Sequence, residues 1–96
     1  MTAHPRLQLN DNFTNPIRLS VMSALIDVDE IDFATLRDAL GLSDSALSKH
    51  GSALEALGYV ALRKGFVGKR PRTWLSLTAE GRTAFQAHVA ALRQLI

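Results

Sequence analysis

Cysteine is missing from this 96-residue chain, which excludes disulfides, thiolate metal sites and thiol redox sensing. Long apolar runs are missing too. Nothing approaches the ~18 consecutive apolar residues of a membrane span, and residues 1–15 are polar, without a signal-type apolar core. The expected compartment is the cytoplasm, with no membrane partner. The histidines are few and scattered: His4, His50 and His88 form no i, i+4 pair, so neither a metal nor another cofactor is expected. No nucleophile–base pairing stands out, and Gly65 and Gly68 precede a strand rather than a helix, so no glycine loop cradles a phosphate. The chain reads as a protein that is not an enzyme.

Acidic residues are absent from one stretch in particular. Between positions 63 and 72 stand Arg63, Lys64, Lys69, Arg70 and Arg72, with no acid among them. The net charge of +2 conceals this polarity. Residues 1–48 set Arg6, Arg18 and Arg37 against seven acids, whereas residues 49–96 set eight cations against Glu55 and Glu80. A cationic patch on a nearly neutral chain points to a polyanion at one face. The length allows a single domain, 1–96, with a single core.

What is present is organised around residues 43–57. At about 100° per residue, Leu47, His50, Gly51, Leu54 and Leu57 fall on one arc, and Ser45, Ser48, Lys49, Ser52 and Glu55 on the other. One side is a core stripe. The other offers hydroxyls and an ammonium, with no bulky apolar group to keep it out of a groove. His50 is expected at the boundary of this helix, within reach of a phosphate.

Residues 1–14 read as a tail or a short docking segment. Asn15-Pro16 starts a helix that runs to about Asp27, with Asn as N-cap and Pro at the first helical position. Its apolar residues sweep over half the circumference, wider than one core requires, so a second subunit is expected to cover the excess. Asp32 caps a second helix over Phe33–Leu40, ended by Gly41. Tyr59–Lys64 and Thr73–Thr78 alternate as strands, and the connection over 65–72 reads as a loop too long for a tight hairpin. Thr78 caps a last helix, residues 79–96, on which Phe85, His88, Val89, Leu92, Leu95 and Ile96 share an arc.

That order resembles a small winged-helix transcriptional regulator related to the MarR and ArsR types, closest to the short family made of the DNA-binding domain with flanking helices. The matching runs are Asn15-Pro16-Ile17-Arg18-Leu19, Phe33 to Ser43, Leu47-Ser48-Lys49-His50, Leu54 to Val60, Lys64 to Thr73, and Leu77 to Arg82. The fold is then mainly α with a small β-hairpin wing. The resemblance implies a homodimer on double-stranded DNA, in a bacterial or archaeal nucleoid, with helix 43–57 in the major groove and wing 63–73 on backbone or minor groove. Ser43, Ser45, Ser48, Lys49, Ser52, Lys64, Lys69, Arg70 and Arg72 are the candidate DNA contacts. Leu19, Met22, Ile26, Phe85, His88, Val89, Leu92, Leu95 and Ile96 are the candidate dimer interface. The alternative is a winged-helix module for protein–protein contact, which would not need the wing cations.

Two residues need placing. Gly51 stands where such proteins carry a leucine, so a neighbour such as Met22 or Phe66 is expected to fill its gap. Trp74 alternates to the outer face of the wing with Tyr59 and Ser76, against a partner subunit or as a ligand-pocket wall.

Overall fold

The structure is a computed structural model and describes residues 4–96. Its elements in chain order are α1 (Pro16–Leu25), β1 (Ile31–Asp32), α2 (Phe33–Leu40), α3 (Asp44–Ala56), β2 (Val60–Val67), β3 (Arg70–Leu77) and α4 (Ala79–Leu95), preceded by short 3-10 turns at Pro5–Gln8 and Asp11–Phe13. The sheet is antiparallel, in the order β1-β3-β2. Among the described residues no helix is long and apolar enough to cross a membrane.

Each helix starts on a side chain that accepts the orphan amides of its first turn: Asn15 for α1, Asp32 for α2, Ser43 for α3 and Thr78 for α4. The third helix stops because Gly58 takes φ 81°. Its amide donates to Glu55 O and that of Tyr59 donates to Leu54 O, which satisfies the terminal carbonyls and turns the chain into β2.

Val21, Met22, Leu25, Leu36, Leu47, Leu54, Val60 and Leu75 form the core, all at most 2% exposed. Each such side chain contributes roughly 1.5–3 kcal/mol of burial. The N-terminal segment joins this core. Phe13 is buried and packs edge-on against Phe85 and His88, with its ring 5.4 Å from that of Tyr59. The Asn10 amide donates to His88 Nδ1 at 2.9 Å, and the Asn10 side chain donates to the Tyr59 hydroxyl. The first three residues of the expected tail lie outside the described residues.

This docking corrects the expected dimer face. Met22, Phe85 and His88 are 0%, 7% and 2% exposed within the single chain, so they have no area left to offer a second subunit. Helical periodicity reveals an apolar arc but not what covers it, and here part of the cover is the chain's own segment 5–13. Leu19, Ile26, Val89 and Leu92 are half-buried, while Leu95 and Ile96 are exposed.

The hairpin also differs from expectation. Residues 65–72 do not form a long loop: the ladder continues to Val67↔Arg70, and Gly68-Lys69 is a two-residue turn. Gly68 supplies φ 62° at the first turn position, the conformation that a tight hairpin of this hand requires. Pro71 is tolerated in β3 because it faces Phe66 at a non-hydrogen-bonded position. Its nitrogen points to the sheet edge that β1 leaves open beyond Trp74, so no ladder bond is lost.

Gly51 is buried, but neither Met22 nor Phe66 fills its place. A Cβ there would meet only Leu75 Cδ2, at an ordinary 3.7 Å, and an open groove of about 330 Å³ lies alongside. Gly81 is the opposite case. A Cβ on it would lie 2.0 Å from the Tyr59 carbonyl oxygen, inside the backbone of the α3–β2 turn. Gly51→Ala is therefore expected to stabilise by about 1 kcal/mol from helix propensity, raising Tm by about 4–8 °C. Gly81→Ala is expected to destabilise by roughly 1–3 kcal/mol or more. Thermal melts of the two variants check both signs.

Candidate nucleic-acid interface

The outward face of α3 is set by its inward one. Leu47, His50, Gly51 and Leu54 are buried, which leaves Ser45, Ser48, Lys49 and Ser52 exposed along a single stripe. Ser43 is exposed as well, but its hydroxyl accepts from the Ala46 amide as the cap and lies 3.2 Å from the Ser45 hydroxyl. Its first duty is to start the helix.

His50 faces inward, contrary to the expectation of phosphate reach. It is 8% exposed, and its Nδ1 accepts from Arg18 Nε of α1 at 3.2 Å. Desolvation, then the charges of Arg18 and Lys49, holds its pKa below the ordinary histidine value. A neutral ring accepting at Nδ1 carries its proton on Nε2. The arrangement braces α3 against α1.

The cations of the hairpin divide by strand periodicity. Lys64 and Thr73 lie on the face of Leu62 and Leu75, and they line one groove with Ser48, Gly51 and Ser52 of α3. Arg70 and Arg72 instead line a second groove with Asp32, Phe33 and Ala34, at the start of α2. The Asp32 carboxyl is held below its usual range first by the Thr35 hydroxyl and amide, with the Arg72 charge a smaller cause. Lys69 sits in the turn. Thus Ser48, Ser52 and Lys64 meet at one place, whereas Arg70 and Arg72 extend a separate positive edge.

Two arginines have roles that the sequence did not disclose. Arg63 is tied to the Glu30 carboxylate, at 2.6 and 3.2 Å, and stacks over the Trp74 ring at 4.0 Å. It anchors β2 to the turn before β1, and Trp74 serves as its platform within the chain. Arg37 bridges Asp38 at 2.9 Å and Asp44 at 2.6 Å. That pairing neutralises the one acid in the first turn of α3, where a bare carboxylate would repel a phosphate, and these two carboxylates hold the Arg37 pKa above its usual value. An arginine seven residues before an acid across a short turn was the available signal.

Comparison with known proteins agrees with the fold. The family described as "Winged helix DNA-binding domain" matches residues 17–96. The chain is similar to the uncharacterized protein MJ0432 of Methanocaldococcus jannaschii, 29% identical over 83 residues, covering 86% of this chain and 90% of that one. A solved transcriptional regulator homologue from Pyrococcus horikoshii superposes with a TM-score of 0.82 at 27% identity, over 88% of this chain and 83% of the other. Reduced AbfR, solved bound to DNA, shares the fold with a TM-score of 0.76 at 19% identity, over 88% of this chain and 64% of its own.

Both buried histidines generate a pH dependence. Desolvation lowers the pKa of His88 as it does that of His50. The unfolded chain therefore binds protons that the folded chain resists, and stability rises with pH through this window. The contribution is fully present above the ordinary histidine pKa of about 6.5 and is lost as pH falls below it toward the depressed folded values. Urea unfolding from pH 7.5 down to 5 is expected to show falling stability, with a shallower fall in His88→Gln.

Proposed function

The chain belongs to the family of winged helix DNA-binding domains and is a transcriptional regulator of that fold, and we propose that it reads duplex DNA sequence-specifically as a homodimer. In this reading α3 enters the major groove and the hairpin lies on the backbone or in the minor groove. The observation that carries it is the exposed stripe Ser45, Ser48, Lys49 and Ser52 beside an acid-free, cationic hairpin. Hydroxyls and an ammonium hold phosphates well, while serine at a base edge can donate or accept. The chemistry supports DNA as the partner without defining an operator. AbfR, of the same fold, is bound to DNA in its own structure.

The phosphate part of this reading rests on Lys69, Arg70 and Arg72, all exposed and outside the ion pairs found among the described residues. Replacing all three by alanine is expected to weaken binding to every duplex. The log–log salt slope should flatten by about 0.9 for each phosphate that is no longer neutralised. Binding titrations across a salt series check this, and an unchanged slope would remove the wing from the interface.

The homodimer rests on what remains outside the monomer's core. Leu19, Ile26, Val89 and Leu92 are half-buried, Leu95 is 40% exposed and Ile96 fully so. A shallow groove whose accessible lining includes Ile26, Val89 and Ala90 lies where the end of α1 meets α4. Two-fold pairing across these residues would cover them and set the two α3 helices about one turn of DNA, roughly 34 Å, apart. Leu92→Glu with Leu95→Glu is expected to convert a dimer to a monomer by light scattering. A wild-type protein that is already monomeric at micromolar concentration would sink the dimer, and with it a palindromic site.

A further inference from the structure

The hairpin tip carries apolar surface that neither the core nor phosphate binding uses. Phe66 is 70% exposed and Val67 48% exposed, next to each other on a strand with no neighbour beyond β3. Strand alternation puts Phe66 on the face of Lys64 and Val67 opposite it, paired with Arg70. The cross-strand neighbour of Phe66 is Pro71, rigid and without an amide proton. Past Trp74 the ribbon is only two strands wide and ends in the two-residue turn Gly68-Lys69. The five residue steps from Arg63 to Gly68 extend roughly 17 Å, against a minor groove about 7.5 Å deep. Single exposed apolar residues are ordinary. An aromatic ring and a valine at the end of a narrow ribbon, framed by Lys64, Lys69, Arg70 and Arg72 with no acid, are not placed as solvated surface would be.

We infer that Phe66 is a wedge: the hairpin tip enters the minor groove, the flanking cations engage the phosphates on either side, and the ring lodges at a base step and bends the duplex there. The inference rests on the DNA-binding reading and adds to it a shape-dependent source of specificity. A ring forced against a step partly unstacks it, and the cost is smallest at flexible pyrimidine–purine steps. Selectivity would then arise at base pairs that the α3 serines never touch. Val67, on the opposite face beside Arg70, packs along the sugar wall of the groove.

The test uses a duplex recovered from a random pool by the wild-type protein and labelled at both ends with a fluorophore pair. Phe66→Ala is expected to lose roughly tenfold in affinity, from the burial of one aromatic side chain. Its salt slope should stay at the wild-type value, because every phosphate-binding cation is still present. Energy transfer between the duplex ends should fall back toward that of free DNA, while Phe66→Leu, still an apolar wedge, retains most of the bend. A thermal melt checks that the exposed substitution leaves the fold intact. Wild-type affinity in Phe66→Ala, a flattened slope in that variant, or a wild-type complex as straight as free DNA would each overturn the wedge while leaving DNA binding in place. Failure of the wild-type protein to recover any duplex would overturn the DNA reading itself.

Discussion

The fold depends on one close approach of backbone to backbone. Where α4 begins, Gly81 lies so near the Tyr59 carbonyl that no side chain fits between them. Around that contact Thr78 works in two directions: its hydroxyl accepts from the Gly81 amide at 2.9 Å and donates to Gly58 O at 2.6 Å. The Thr78 amide donates to Tyr59 O. The end of α3, the root of the hairpin and the start of α4 are thus joined within a few residues. With that junction closed, the angle between the α3 stripe and the hairpin is fixed by short bonds rather than by side-chain packing alone.

How much of this was legible in the sequence follows from how local each cause is. The N-caps Asn15, Asp32 and Thr78 were readable because each acts on amides two or three residues away, and the bounds of α2 agree with the expectation. The stripe of α3 was readable for the same reason. The full length of the hairpin was not: Gly65, Gly68 and Pro71 look like breakers until the register shows that Pro71 faces an open edge. Nor could the helical arcs of α1 and α4 reveal that Phe13 would occupy part of the space assigned to a partner. The pairing of Arg63 with Glu30 joins residues 33 positions apart, and no pattern within either segment implies it.

The division of charge along the chain acquires a spatial meaning. The acids of the first half are used locally: Asp32 caps α2, while Asp38 and Asp44 hold Arg37. Glu30 draws Arg63 away from the wing's free cations and seats it on Trp74. Of the exposed cations outside these ion pairs, Lys49, Lys64, Lys69, Arg70 and Arg72 lie on α3 or the hairpin, and Arg6, Arg82 and Arg93 lie elsewhere. A modest net charge is therefore compatible with a strongly directional field.

The docking of Phe13 and Asn10 onto α4 has a consequence for biosynthesis. The Asn10–His88 bond spans 78 positions, nearly the whole chain, and the aromatic cluster around it draws on residues 13, 59, 85 and 88. Closing so large a loop is entropically costly, and contacts of long sequence separation slow folding. During translation Asn10 and Phe13 emerge before α4 and lack their partners Phe85 and His88 until that helix has left the ribosome. The helix-turn-helix can assemble early from its neighbouring contacts. The aromatic seal is added only after α4 has emerged, so Phe13 stays within reach of proteases and chaperones until then.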